Sequence, residues 1–186
     1  SFSDPAKGSV VDNGDGTFVY TPDANANGSD SFTITVNDGT VDVVETINVA
    51  IAAVNDAPTI STTTSLSTAE DTATAAIAFN GSDIDGDTLT FSFSDPTKGS
   101  VVDNGDGTFT YTPDANANGS DSFTLTANDG TMDVVETINV AIAAVNDAPT
   151  VSTTTSLTIN EDTATAAIAF SGSDIDGDLL SFSFSD

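Results

Sequence analysis

Ser122-Phe123-Thr124-Leu125-Thr126-Ala127-Asn128-Asp129-Gly130 alternates hydroxyl and apolar side chains, then breaks on Asn-Asp-Gly. A period of two, rich in β-branched residues, marks a half-buried strand, and Asp-Gly supplies the positive φ of a tight turn. The same alternation runs through Leu89, Phe91 and Phe93, through Phe109 and Tyr111, and through Ala75, Ile77 and Phe79. Ile138, Val140 and Ile142 give one apolar face to a long final strand over 132–145, and the Thr-rich stretch 59–68 predicts a first, edge strand. Turn clusters at 80–83, 103–107, 113–119 and 128–130 separate these runs, and no segment carries a capped 3.6-residue period. About seven short strands in roughly 90 residues predict an all-β fold, an antiparallel Greek-key sandwich.

Working outward, the whole pattern recurs. Ser1-Phe2-Ser3-Asp4-Pro5 returns as Ser92-Phe93-Ser94-Asp95-Pro96, and Ser183-Phe184-Ser185-Asp186 opens a third copy, each 91 residues after the last. Residues 1–91 and 92–182 differ at 12 positions, mostly exchanges of small or apolar residues such as Ile34/Leu125, Val36/Ala127 and Ile60/Val151. A period this long gives each copy enough chain for its own core, so the expected architecture is tandem sandwiches arranged end to end. Proline directly after the long strand stops its ladder. The repeated Asn55-Asp56-Ala57-Pro58 and Asn146-Asp147-Ala148-Pro149 therefore divide the chain into the back of one repeat (1–57), a complete repeat (58–148) and the front of the next (149–186). The chain starts and stops in mid-pattern, as a window on a longer array does.

The 186 residues carry 29 Asp and Glu against two lysines, Lys7 and Lys98, with no Arg and no His, a formal charge of −27. Self-repulsion on this scale opposes a compact state unless salt or bound cations offset it. Nucleic acid is excluded as a partner because almost nothing can neutralise phosphate. No apolar run approaches the roughly 20 residues that a membrane-spanning helix needs, so membrane insertion within this segment is not expected. With no Cys there is neither a disulfide nor a thiolate ligand. Without His, Cys or Arg the usual nucleophile–base pairs lack their parts, and a non-catalytic role is expected.

The runs Phe123–Gly130, Thr137-Ile138-Asn139-Val140-Ala141-Ile142 and Val145–Pro149 resemble the last two strands and linker of a cadherin repeat. Glu70-Asp71, Gly81-Ser82-Asp83-Ile84-Asp85-Gly86-Asp87 and Leu89–Phe93 resemble its front half. The chain is similar throughout to the cadherin-like tandem repeats of very large bacterial surface proteins. That resemblance implies Ca²⁺ at the junctions between repeats. It would be held by a glutamate of the upstream repeat (Glu70, Glu161), by the linker pairs Asn55 and Asp56 or Asn146 and Asp147, by the downstream Asp-X-Asp (Asp83 and Asp85, Asp174 and Asp176), and by an aspartate before the last strand (Asp38, Asp129). The donor types suit calcium, which takes 6–8 oxygens at about 2.3–2.6 Å. The linker here is shorter than the family's, and the family's acidic motif before the sixth strand is missing. Asp114 or Asn116, with Asp23 or Asn25 in the earlier copy, are the candidate replacements. Within this window the first junction lacks its upstream glutamate and the second its downstream aspartate.

The expected function is a calcium-rigidified spacer of an extracellular, secreted or surface-attached adhesin, its partners being Ca²⁺ and neighbouring repeats of the same chain. Two alternatives stay open: a module that binds polysaccharide or a like protein chain, and a filament subunit completed head to tail by the next molecule.

Overall fold

A computed structural model describes residues 1–185; Asp186, the last residue of the third-copy opening, lies outside the described residues. The residues fall into two compact units interleaved along the chain. One holds Ser1–Ile60, Gly81–Phe91 and Thr126–Val134, and the other holds Ser61–Asn80, Ser92–Leu125 and the chain from Val135 onwards.

In the first unit, β1 (Gly8–Asp12) pairs antiparallel with β2 (Phe18–Pro22). β3 (Gly28–Asn37) pairs antiparallel with β4 (Asp42–Ile51), in register from Gly28 opposite Ile51 to Asn37 opposite Asp42. Phe32 of β3 is buried, with its ring 5.4 Å edge-on from Phe18 and stacked 6.1 Å from Tyr20.

The second unit carries two four-stranded sheets whose strand ends run on into the first unit's segments. One has the order β5 (Thr59–Thr62), β7 (Ile77–Ser82), β10 (Thr108–Pro113), β9 (Gly99–Asp103). The other has the order β6 (Ser65–Ala69), β12 (Asp133–Ala143), β11 (Gly119–Asn128), β8 (Thr90–Phe93). Successive strands change sheet at every step from β5 to β9 and again between β10 and β11, the crossings of a Greek-key sandwich. Further on, β13 (Thr150–Thr153) pairs antiparallel with β14 (Phe170–Ser173).

The alternating residues read from the sequence form the core. Phe109 and Tyr111 of β10, Phe123, Leu125 and Ala127 of β11, and Ile138, Val140 and Ile142 of β12 are all buried. Rings meet across the two sheets: Phe109 lies edge-on to Phe123 at 5.7 Å, and Tyr111 stacks on Phe123 at 5.9 Å. β9, which carries no clear apolar alternation and was not expected as a strand, is specified by close approach. A Cβ on Gly99 would collide with the Thr112 carbonyl and sit 2.8 Å from the Tyr111 ring.

The stretch 59–68 is not one edge strand. It bends after Thr62, so that β5 completes one sheet and β6 the other. Both sheets have an edge in need of a partner, and the small polar residues at the bend let a single segment cover the two. β6 is also the exception to the antiparallel expectation: it runs parallel to β12, Ser65 opposite Asn139 and Ala69 opposite Ala143.

One buried carboxylate stitches the core to its loops. Asp121 accepts hydrogen bonds from the Tyr111 hydroxyl (2.7 Å), the Thr97 amide and hydroxyl (3.0 and 2.8 Å), the Lys98 amide (2.9 Å) and the Ser122 amide (2.9 Å). Asp30 repeats the arrangement with Tyr20, Ala6, Lys7 and Ser31. Tyr111→Phe removes one charge-assisted bond and leaves Asp121 its amide partners, so we expect a loss of about 1–2 kcal/mol, readable by urea unfolding.

Candidate metal centre

The parallel pairing of β6 with β12 decides where the acidic groups meet. It brings Glu70, the residue after β6, to the end of β12, where the Glu70 amide donates to Ala143 O at 2.9 Å. An antiparallel β6 would have put Glu70 at the opposite end of the strand. The Glu70 side chain is 2% exposed; its Oε1 accepts the Val145 amide, and its Oε2 is buried with no hydrogen-bond partner.

Around this residue the second unit gathers the linker and the following Asp-X-Asp. Asp174 Oδ1 accepts the amides of Asp176 (3.0 Å) and Asp178 (3.3 Å), and Gly177 at φ 80° lets the chain close that turn. The Asp147 amide donates to Asp176 Oδ2 at 2.7 Å, and Asn146 Nδ2 caps the Asp147 carbonyl at 2.8 Å. Asp147 Oδ2 is buried without a partner. Burial first, and then the charges of Asp176, Asp71, Glu70 and Asp174, push the Asp147 carboxyl above its usual range. Four carboxylates therefore act together on Asp147.

The first unit builds the same device from the first linker. Asp83 Oδ1 accepts the amides of Asp85 (2.8 Å) and Asp87 (3.3 Å), and Asp85 Oδ2 accepts the Asp56 amide (2.8 Å). Carboxylate oxygens of Asp83, Asp85 and Asp87 lie within 4.8 Å of one another, and Asp83 Oδ2 is buried and unpartnered. Asn55 Nδ2 donates to Asp129 Oδ2 at 2.8 Å and to the Asp56 carbonyl at 3.0 Å. Asp129 is 7% exposed, and its Oδ1 takes the Thr131 amide (2.7 Å), the Thr131 hydroxyl (2.9 Å) and the Met132 amide (2.7 Å). The Asn55 amide foremost, then Met132, hold the Asp129 carboxyl far below its usual range, so it is anionic at neutral pH.

Each lysine ammonium is hydrogen-bonded to a backbone carbonyl. Lys7 Nζ donates to Asn27 O at 2.6 Å and Lys98 Nζ to Asn118 O at 2.7 Å. Buried carboxylate oxygens without a donor or a counter-charge are costly. Oxygen-only donors on turns that already converge suit a hard divalent cation, so the residues present fit calcium.

Of the residues singled out in the sequence, the structure brings Asn55, Asp56, Asp83, Asp85 and Asp129 together in the first unit, and Glu70, Asp147, Asp174 and Asp176 in the second, with Asn146 closing the second linker. Asp38 occupies the β3–β4 turn, its Oδ1 bonded to the Thr40 amide (2.9 Å), the Thr40 hydroxyl (2.8 Å) and the Val41 amide (2.9 Å). Asp23 and Asp114 are exposed; each loop is closed by backbone, the Asp114 amide on Lys98 O (2.8 Å) and the Asp23 amide on Lys7 O (2.9 Å). Glu161 is exposed. Asp87 and Asp71 were not assigned as donors from the sequence. Asp87 was legible in the Asp-Ile-Asp-Gly-Asp spacing, whereas the place of Asp71 depends on the parallel strand.

No curated protein matches the chain. Among solved structures, domains 4 and 5 of the S-layer protein SbsC match 68% of this chain and 62% of that chain at 24% identity, with a TM-score of 0.41. An endo-fucoidan hydrolase from glycoside hydrolase family 107 matches over 78% of this chain and 23% of its own at 20% identity, TM-score 0.37. InvD of Yersinia pseudotuberculosis matches over 84% and 52% at 18% identity, TM-score 0.29. The chain spans less than two thirds of the length of each. The profile of the cadherin-like domain matches residues 1–52 and 54–143. Those two stretches take in most of the sequence, and the chain belongs to the cadherin-like domain family.

Proposed function

We propose that the chain is a calcium-rigidified structural spacer of a large extracellular bacterial surface protein or adhesin, with no catalytic role of its own. In this reading 1–57, 58–148 and 149–186 are successive repeats, and the Asn-Asp-Ala-Pro linkers are joints between them. One observation carries it: Glu70 Oε2, Asp83 Oδ2 and Asp147 Oδ2 are buried with no partner, and all three lie beside those linkers. A bound divalent cation supplies the positive charge and the oxygen coordination that these atoms lack. Each linker is already tied to the repeat that follows it, through Asp56 to Asp85 and Asp147 to Asp176. The Glu70 carboxylate ties the preceding repeat to the second linker through the Val145 amide. Neutralising the carboxylates removes the repulsion that bends such a joint, and each stiffened repeat then adds about 40 Å of reach, from strands rising about 3.3 Å per residue plus their end loops. Small-angle X-ray scattering of the full chain with and without calcium tests this. The maximum dimension should shrink on chelation and recover when calcium is restored; an unchanged dimension would reject the spacer reading.

A further inference from the structure

The chain's two lysines occupy equivalent positions in the two copies, and each grips the same atom. Lys98 Nζ donates to the Asn118 carbonyl at 2.7 Å, and Lys7 Nζ to the Asn27 carbonyl at 2.6 Å. Both bonds land on an Asn-Gly peptide. Gly119 lies at φ 89°, and a Cβ there would crowd Lys98 Nζ at 3.2 Å. In an Asn-Gly step the side-chain amide is open to attack by the following backbone nitrogen, because glycine leaves the approach unhindered. The chain has five such steps, and the structure holds them differently. Asn80-Gly81 lies within β7. Asn13 and Asn104 have tied side chains, with Asn13 Nδ2 on Thr17 Oγ1 and Asn104 Nδ2 on Thr108 Oγ1, both at 2.8 Å. Asn27 and Asn118 are exposed, directly precede the first residue of β3 and of β11, and have no side-chain hydrogen bond among the described residues.

A cation bound to a peptide oxygen draws electron density from the whole amide and so acidifies the N–H of that same peptide group. Here that N–H belongs to Gly119, and its nitrogen is the nucleophile. We propose that Asn118 and Asn27 are self-modification sites that convert to isoaspartate, with Lys98 and Lys7 as the activating groups. The Gly119 nitrogen gives up its proton and bonds to Asn118 Cγ. The side-chain amide nitrogen leaves as ammonia, and a succinimide ring closes. Water then adds at the backbone carbonyl carbon, whose oxygen Lys98 polarises, and the bond from that carbon to the Gly119 nitrogen breaks. One water enters and one ammonia leaves, with no oxidation or reduction. The carboxylate released in this way forms on the oxygen that Lys98 already holds, so an ion pair replaces the original bond and isoaspartate is favoured over aspartate. Each event adds a negative charge and lengthens the backbone by one methylene at the start of β11 or β3.

The test is ageing of the full chain at neutral pH, as wild type and as Lys98→Gln and Lys98→Arg. Peptide mapping with electron-transfer mass spectrometry reads every Asn-Gly step and separates isoaspartate from aspartate. In wild type, Asn27 and Asn118 should convert faster than Asn13, Asn80 and Asn104, and mainly to isoaspartate. Lys98→Gln should slow Asn118 about tenfold, the size of one charge-assisted contact in the transition state, and Lys98→Arg should restore most of the rate. Asn27, beside an unaltered Lys7, should keep its wild-type rate in the same molecules. Unchanged conversion at Asn80 and Asn104 verifies that the middle repeat is still folded; should it unfold, Lys7→Gln read at Asn27 repeats the trial in the other copy. Equal Asn118 rates in wild type and folded Lys98→Gln would overturn the proposal, as would Asn104 outpacing Asn118 in wild type.

Discussion

In chelator Glu70→Gln should melt above the wild-type chain, and in saturating calcium it should melt below it. Gln keeps an oxygen for the Val145 amide, so the backbone contact survives the exchange. What changes is Oε2, a buried anionic atom with no partner, which becomes a neutral amide nitrogen. Without metal, wild type bears the desolvation of that charge and its repulsion with Asp147, so the variant should gain about 1–2 kcal/mol. For a repeat of this size that is a rise of roughly 5–10 °C in Tm. With calcium the order reverses. A ligand present at a hundred times its Kd stabilises by about 2.7 kcal/mol per site, and removing an anionic donor forfeits much of that. Scanning calorimetry in chelator and in millimolar calcium reads both limbs. A variant that melts below wild type in both buffers would show that Glu70 serves packing alone, and the metal joint would lose its main support.

That crossover depends on a placement the sequence could suggest only by resemblance. The core was legible directly, because inward positions alternate and Phe109, Tyr111, Phe123, Leu125, Ile138 and Val140 are the residues that alternation selects. The turn over 103–107 was legible too, since Asn-Gly and Asp-Gly fix a turn locally, and the structure sets Asp103 opposite Phe109 across it. The division of 59–68 between two sheets was not, because Thr-rich segments have no preferred face and the choice is made by the edges they meet. Asp121 and Asp30 were passed over for a related reason. An aspartate between two serines reads as solvated, and its burial depends on Tyr111 or Tyr20 ten residues earlier and on a loop more than twenty residues away. The pairing of Asn55 with Asp129, 74 residues apart, was legible only in kind: carboxamide and carboxylate were expected to converge, but not that each would hold the other.

Asp121→Ala should be among the most damaging polar changes to the middle repeat, costing about 3–5 kcal/mol. It strips one acceptor from five donors and leaves the Tyr111 hydroxyl, on a fully buried side chain, with nothing in reach to replace it. Asp30→Ala removes four such bonds in the first unit, where Tyr20 is less enclosed than Tyr111, and should cost less. The same carboxylate sets an acid limit. Burial works to raise its pKa, but the bonds from Tyr111, Thr97 and Lys98 outweigh burial and hold it at about 2, below the ordinary 3.8. A lowered folded-state pKa means the stabilisation is complete above about pH 4 and drains away as pH falls from there toward 2. Asp121→Asn, which cannot ionise, should therefore be less stable than wild type at pH 7 and should narrow the gap steadily below pH 4. Urea unfolding between pH 2 and 7 measures both slopes. Parallel acid limbs in the two proteins would mean that Asp121 is not the group whose protonation loosens the sandwich.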